Sequence, residues 1–189
     1  MRIFRVRKYT VVKQADRKTV KRAVQRQGKG VELYTFDVFI INGPMSRDFV
    51  KKNTVISRTI QIRGDQTLEE LHSAIFDAFD REEEHMYEFQ IGGKGPMDPK
   101  ARRYVLHMYD HDHESEGNSA GEVNETVIGV LGLKVNDAFG YWFDFGDDWW
   151  HQVNVVAIGE VPARGRYPKI VKKTGKSPPQ YVDWDDEDE

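Results

Sequence analysis

Side chains that bind metal ions or move protons are concentrated at one point of the sequence. Four of them lie within eight residues, namely Asp144, Asp147, Asp148 and His151. Carboxylate and imidazole groups bind divalent metal ions and act as general acids and bases. Three earlier residues have the same chemistry, namely His72, His85 and Glu88. If the two groups meet in space, the sequence predicts a mixed histidine and carboxylate site, and with it a metal-dependent hydrolase or nuclease.

The same residues also have a purely structural interpretation. An aspartate in a turn accepts hydrogen bonds from its own backbone, which is a common role at the end of a hairpin. A histidine among aromatic residues packs in a core with both ring nitrogen atoms satisfied, and His72 is expected to donate to a neighbouring strand or to Glu88. No dinucleotide fingerprint, nucleophile elbow or Ser/His/Asp arrangement accompanies them. The main expectation is therefore no cofactor, with a divalent metal as the alternative.

An aromatic hairpin at residues 139–157 must position the first group. Phe139, Tyr141 and Phe143 alternate with other residues at a period of two, which predicts a strand. Residues 146–148 predict a turn, and residues 149–156 predict the returning strand.

Tryptophans on this hairpin are candidates for a partner surface. Trp149 and Trp150 are consecutive, so they point to opposite faces of their strand, and we expect one to pack and the other to be exposed. An exposed tryptophan near Trp142 is typical of a surface that binds another macromolecule.

The second group depends on a helix and the strand that follows it. Thr67 and Glu70 form a capping box, which marks the start of the helix. Apolar residues then recur at helical spacing. With strands predicted at 34–41, 54–62, 86–91 and 104–109, the element order is ββαββ. We predict an α+β fold with a ubiquitin-roll-like sheet on one main helix, extended by the C-terminal aromatic hairpin.

The formal net charge of −3 hides a strong asymmetry. Residues 1–30 contain eleven lysines and arginines and one acid, so the rest of the chain has a net charge of −13. The candidate phosphate-binding residues of this basic segment are Lys13, Arg17, Lys18, Lys21, Arg22 and Arg26. Such segments neutralise nucleic-acid phosphates, although no aromatic residue interleaves the basic run to stack on bases. The alternative is a solvated extension, or one that folds back on the acidic body.

Composition limits the class of protein and its location. The chain has no cysteine, which excludes disulfides and thiolate-bound zinc. It has no apolar run of about 18 residues and no signal-peptide core, so we expect a cytoplasmic protein without a membrane span. The 189 residues suit one domain at 31–180, with a basic extension at 1–30 and an acidic, disordered tail at 181–189.

Several motifs follow one another along the chain. The helix contains Leu71-His72, Ile75 and Ala78-Phe79, and the next strand contains His85-Met86-Tyr87-Glu88-Phe89. The hairpin contains Asp144-Phe145-Gly146-Asp147-Asp148-Trp149 and His151, and Tyr167-Pro168 and Pro178-Pro179 come after it. This set resembles the plasmid pRiA4b ORF-3-like family over most of the chain. Some members of that family are labelled insertion-sequence passenger (TnpR-type) proteins.

The resemblance implies a prokaryotic domain of unestablished activity, sometimes encoded beside mobile elements. Nothing here resembles a serine recombinase, so resolvase activity does not carry over. Two segments depart from the family pattern: Ile56-Ser57-Arg58-Thr59 replaces an Ile-Trp-Arg-Arg run, and residues 180–184 replace a closing cysteine. The leading hypothesis is a non-enzymatic module that binds protein or nucleic acid. The alternatives are the metal-dependent hydrolase and a purely structural oligomer.

Overall fold

The computed structural model of the protein describes residues 31–106, 119–162 and 164–181. The basic segment with its six candidate phosphate-binding residues, and the acidic tail from residue 182, lie outside the described residues. The predictions about both therefore stay predictions. No helix in the described part of the chain is long and apolar enough to cross a membrane.

The described residues form one sheet with two helices. The strands are β1 (Glu32–Asn42), β2 (Ser57–Arg63), β3 (Tyr87–Ile91), β4 (Arg102–Val105), β5 (Ser119–Glu122), β6 (Ala138–Phe143), β7 (Trp149–Glu160) and β8 (Lys169–Thr174). The helices are α1 (Arg47–Lys52) and α2 (Leu68–Ala78), and a 3-10 turn spans Ile128–Val130. The predicted α+β class is confirmed. The ββαββ order appears as β1, β2, α2, β3 and β4.

The aromatic hairpin lies in the middle of the sheet. The strand order is β5-β4-β3-β6-β7-β1-β2-β8, and all neighbours are antiparallel except β4 and β5. β6 pairs with β3, and β7 pairs with β1, so the hairpin joins the two halves of the ββαββ unit. The hairpin belongs to the sheet, but it is inserted at the centre between β3 and β1, whereas the prediction had it extend the sheet.

Helix α2 begins at the predicted capping box. The Thr67 hydroxyl accepts from the Glu70 backbone N–H at 3.2 Å, and the Glu70 carboxylate accepts from the Thr67 N–H at 2.8 Å. The helix packs its apolar stripe on one face of the sheet, which we call the covered face. There it meets the fully buried side chains Phe36, Ile60 and Phe89. The opposite side is called the far face.

The C-terminal segment at residues 175–181, called the strap, is hydrogen-bonded to the rest of the fold at several points, including Arg58 and Gln180. The buried Arg58 donates to the Ala78 carbonyl at 2.7 Å and to the Ser177 hydroxyl at 2.7 Å. The Gln180 side chain accepts from the N–H groups of Glu82 and Glu83 at 2.8 and 3.0 Å. The strap therefore holds the loop that leads from α2 to β3.

Candidate functional site

His72 lies on the buried side of α2 and is held on three sides. Its Nδ1 is 2.8 Å from the Tyr141 hydroxyl, and its Nε2 is 3.0 Å from the Glu84 carboxylate. The ring stacks on Tyr87 with the two centroids 3.6 Å apart. Burial lowers the pKa of His72, and the Glu84 carboxylate opposes that shift. The predicted partner on a neighbouring strand is therefore Tyr141, and Glu84 takes the role suggested for Glu88.

A groove of about 540 Å³ opens beside His72, between α2 and β3. Its lining residues are Glu69, His72, Ser73, Glu84, His85, Met86, Tyr87 and Leu106. Two of these are carboxylates, and none is a lysine or arginine. The groove thus combines acidic walls with apolar side chains.

His85 and Asp144 are the two predicted site residues from different groups that the structure brings together. The His85 Nε2 lies 3.5 Å from the Asp144 carboxylate and 2.7 Å from the Tyr181 hydroxyl. This contact joins the loop before β3 to the hairpin turn. The two side chains are candidate metal ligands, and the phenol of Tyr181 is the third group beside them.

The hairpin aspartates build the turn itself. The Asp144 carboxylate accepts from the backbone N–H groups of Gly146 and Asp147 at 3.2 and 3.4 Å. The Asp148 carboxylate accepts from the Trp142 indole N–H at 3.0 Å. Both Asp144 and Asp148 have a φ of 54°, a conformation that aspartate tolerates better than most residues. These contacts match the structural interpretation of the turn.

Glu88 lies on the far face of the sheet. It follows Tyr87 directly on β3, so the two side chains point to opposite faces, and His72 stacks on Tyr87. The Glu88 carboxylate is fully buried and accepts from Gln90 at 2.6 Å and from Arg103 Nε at 2.8 Å. The hypothesis that Glu88 joins His72 and His85 is therefore wrong.

The composite metal site does not assemble among the described residues. In that part of the chain, no three histidine, aspartate or glutamate side chains are arranged to hold a metal ion. His151 points into the core under the hairpin, while Glu88 is on the far face. Only the pair of His85 and Asp144 remains of the combination that the sequence suggested.

A buried polar cluster lies under the hairpin. Among the described residues, Arg81 and Trp149 contain three buried side-chain nitrogen atoms without a hydrogen bond, and the imidazole of His151 faces the backbone of Tyr141 and Trp149. The Arg81 guanidinium lies over the Trp149 ring, 3.7 Å from its centroid. We call these three residues the Arg81 cluster. His151 packs among aromatic residues, as the structural interpretation expects, with the ring centroids of Tyr141 and Phe79 5.1 and 5.3 Å away.

Burial changes the acidity of this cluster. It lowers the pKa of His151 to about 3, and the charge of Arg81 acts in the same direction. The backbone of Tyr141 and Trp149 opposes that shift to a smaller extent. Burial also lowers the pKa of Arg81 to about 10, against the attraction of Asp144. At neutral pH the histidine is therefore uncharged and the arginine carries the one positive charge of the cluster.

The tryptophans differ from the expected pattern. Trp149 is fully buried and Trp150 is 9% exposed, so the prediction that one of them is exposed is wrong. Trp150 stacks on Trp142 across the far face with centroids 4.7 Å apart, and Phe145 packs on Trp142 at 4.2 Å. Trp149 belongs to the core, where the Arg81 guanidinium lies over its ring. The exposed aromatic of this region is Phe145.

Sequence reasoning missed Arg81 and Glu84. Both fall in the charged run that follows α2, where the helical period ends and no pattern shows that Arg81 is buried or that the exposed Glu84 contacts His72. Tyr181 was assigned to the tail, although its hydroxyl contacts His85 and the Glu83 carboxylate.

A family model described as Plasmid pRiA4b ORF-3-like protein matches residues 48–184. The chain belongs to this family. All seven candidate site residues of this pRiA4b ORF-3-like protein lie within the matched range. A crystal structure of a protein of unknown function from Methanosarcina mazei Go1 is similar, with a TM-score of 0.58 and 20% identity over 77% of this chain and 71% of that chain. At this identity the likeness shows the fold alone. No curated protein matches the chain.

Proposed function

We propose that this pRiA4b ORF-3-like protein is a non-enzymatic binding module that holds a basic segment of a partner protein in the groove beside α2. The groove itself carries this proposal. Its volume of about 540 Å³ lies in the range of protein sites that bind ligands. Glu69 and Glu84 supply negative charge on its walls, and none of the described residues that line it is a lysine or arginine.

The apolar part of the groove suits the stem of a lysine or arginine side chain. Met86, Tyr87 and Leu106 form this part, and Met86 is 36% exposed. A basic side chain can lay its methylene groups on such a surface while its charged end reaches a carboxylate. Methionine adapts its shape to different partners, which favours binding of varied sequences.

The charge of the whole body supports the same class of partner. Residues 31–189 have a net charge of −13, which attracts basic segments over long distances and speeds their association. Both ring nitrogen atoms of His72 contact other side chains, Tyr141 and Glu84, and the Nε2 atom of His85 contacts Tyr181. These contacts support a role in shaping the groove rather than in acid–base catalysis.

Fluorescence anisotropy with labelled peptides tests this function on the full chain. Peptides that combine lysine or arginine with apolar residues are expected to bind, and matched glutamate peptides are not. The double substitution Glu69→Gln and Glu84→Gln should weaken binding about tenfold, because two rim charges together contribute about 1.4 kcal/mol. The matched control is Asp48→Asn with Glu160→Gln, which changes the charge equally and leaves the groove intact. Equal losses in both double variants would contradict the proposal.

A parallel titration with duplex DNA separates the nucleic-acid hypothesis from this one. Binding through the basic segment should fall steeply with salt and persist in the Glu69→Gln, Glu84→Gln variant. It should disappear when Lys13, Arg17, Lys18, Lys21, Arg22 and Arg26 are changed to glutamine. That result, without peptide binding, would favour nucleic acid as the partner.

A further inference from the structure

His72 links the core under the hairpin to the wall of the groove. Its Nδ1 lies 2.8 Å from the Tyr141 hydroxyl, and its Nε2 lies 3.0 Å from the Oε2 atom of Glu84. Tyr141 and His72 are 2% and 3% exposed, whereas the Glu84 side chain is 64% exposed. These three side chains, which we call the His72 network, therefore run from the interior of the protein to the surface of the groove.

The two contacts of His72 determine which of its ring nitrogen atoms carries the proton. Burial lowers the pKa of His72, so the imidazole is neutral at pH 7 and has one N–H group. A carboxylate accepts hydrogen bonds, so this proton lies on Nε2 and is donated to Glu84. Nδ1 then accepts from the Tyr141 hydroxyl, whose pKa burial raises well above its ordinary value. Both hydrogen bonds thus have one direction, from Tyr141 through His72 to Glu84.

The ring that donates to Glu84 is itself fixed by packing. It stacks on Tyr87 with the centroids 3.6 Å apart, and the rings of Phe76 and Phe143 lie 5.9 and 6.2 Å away. A rigid donor restricts the rotamers of an exposed glutamate, which would lose that freedom on binding. The hydrogen bond therefore places the carboxylate on the wall of the groove in advance, which lowers the entropic cost of binding a partner.

The contacts of this carboxylate favour lysine over arginine. His72 contacts one of its two oxygen atoms, Oε2, and Oε1 takes no part in that contact. An arginine binds a carboxylate best through two parallel hydrogen bonds that use both oxygen atoms, whereas a lysine ammonium needs one acceptor. Met86, Tyr87 and Leu106 in the same groove suit the methylene groups of a lysine stem.

We propose that His72 is a positioning residue, which holds the Glu84 carboxylate as the anchor for a lysine ammonium of the partner. The proposal rests on the function given above for the groove and identifies the side chain that the groove recognises. Glu69 lies in the first turn of α2 and is exposed. It supplies general negative charge to the groove, and we expect it to contribute less than Glu84.

Fluorescence anisotropy of the full chain with two peptides that differ only in one lysine or arginine tests this specificity. The parent chain should bind the lysine peptide about fivefold more tightly, the factor expected from one hydrogen bond. His72→Phe keeps a ring on Tyr87 but removes the N–H group, so it should lose the preference for lysine. His72→Gln restores an N–H group near the position of Nε2 and should recover part of the preference.

A double-mutant cycle shows whether His72 acts through Glu84. Glu84→Gln should weaken binding of the lysine peptide about fivefold, and Glu69→Gln about twofold. His72→Phe should cause no further loss when Glu84 is already glutamine. Asp48→Asn is the matched control, because it removes one exposed charge on α1, and it should leave the affinity unchanged. Additive losses from His72→Phe and Glu84→Gln would overturn the proposal.

Nitrogen-15 NMR of the unmodified full chain tests the His72 network without any variant or peptide. A ring nitrogen that carries a proton differs widely in chemical shift from one that does not, so the spectrum reports the tautomer. We expect the proton of His72 on Nε2 at pH 7. A proton on Nδ1 would contradict the direction of the hydrogen bonds and overturn the proposal.

The peptide measurements separate this proposal from the function of the groove. If the parent chain binds neither basic peptide, the function proposed for the groove fails and the role of His72 fails with it. If the parent chain binds the lysine and arginine peptides equally well, the groove keeps its function, and the role of His72 and Glu84 in selecting lysine is overturned alone.

Discussion

Two groups of buried polar side chains at the central hairpin, one on each face of the sheet, are paired to different extents. On the far face, the buried Glu88 accepts from Arg103 and Gln90, and Trp142 donates to Asp148. On the covered face, Arg81 is also buried, and its two terminal nitrogen atoms form no hydrogen bond with any described residue. Both groups are positioned by the hairpin strands β6 and β7 and by their neighbours.

The two groups differ in whether a side chain of the protein neutralises the buried charge. A buried charge is costly unless it is paired, and the far face pairs its carboxylate within the chain. At the Arg81 cluster, the guanidinium instead stacks on Trp149, and its two terminal nitrogen atoms form no hydrogen bond within the described part of the chain. Pairing thus distinguishes these two groups more sharply than residue type, since both contain tryptophan and charged side chains.

The largest expected effect comes from removing one partner of the buried ion pair between Arg103 and Glu88. Arg103→Met leaves the fully buried Glu88 without its cation, and it should lower the free energy of unfolding by about 3 kcal/mol. Urea denaturation at pH 7 measures the change. The double variant with Glu88→Gln should recover part of the loss. A decrease below about 1 kcal/mol in the single variant would show that Glu88 does not depend on Arg103.

Lowering the pH should test the buried histidines of the covered face through the free energy of unfolding. The folded-state pKa of His151 is about 3, below its ordinary value of 6.5, and that of His72 is also lowered. The unfolded chain therefore binds protons first as the pH falls below 6.5. The free energy of unfolding, fully present above pH 6.5, should drop by about 1.4 kcal/mol per pH unit for each histidine that stays neutral.

Urea denaturation between pH 7 and pH 5 measures this slope, in a window above the titration of the carboxylates. The free energy of unfolding of the variant His151→Phe should depend less on pH, because its unfolded chain binds about one proton fewer than the unfolded parent chain. Unchanged stability over the window in the parent chain would show that His151 becomes protonated while folded.

The smallest expected effect is at the edge of the far face. Asp148→Ala removes the acceptor of the Trp142 indole N–H and places alanine at a φ of 54°, so it should cost about 1 kcal/mol. Asp148→Asn keeps an acceptor and a residue that tolerates this conformation, and it should cost less. Thermal unfolding compares the two. A larger loss in the asparagine variant would indicate that the carboxylate charge itself matters, as the metal hypothesis requires.

The sequence predicted most strands and the main helix, because short-range patterns among neighbouring residues determine these elements. The period-two aromatic run gave the strands on either side of the turn, and Thr67 with Glu70 marked the start of α2. The short helix α1 was missed, although Ser46 caps it by accepting from the Phe49 N–H. Its six residues are too few for a helical period to stand out.

The candidate site was harder to predict because it depends on which faces meet. The alternation of β3 already placed Glu88 opposite Tyr87, so its separation from the groove was available from the sequence. The contact between His85 and Asp144 could not be predicted from the sequence, because it depends on β6 pairing with β3 across the sheet. Arg81 gave no signal at all, because it follows the end of a helix among acidic residues that point to solvent.

The central position of the β6–β7 hairpin also has a consequence for synthesis of the chain. β1 and β3 are made long before the two strands that fill the space between them. Until those strands emerge from the ribosome, β1 and β3 each present an unpaired edge, and unpaired edges invite association with other chains. The most distant pairings must also form last, which slows folding. We therefore expect nascent chains that end before Ala138 to need chaperone protection, and complete chains to lose that need once the hairpin closes the sheet.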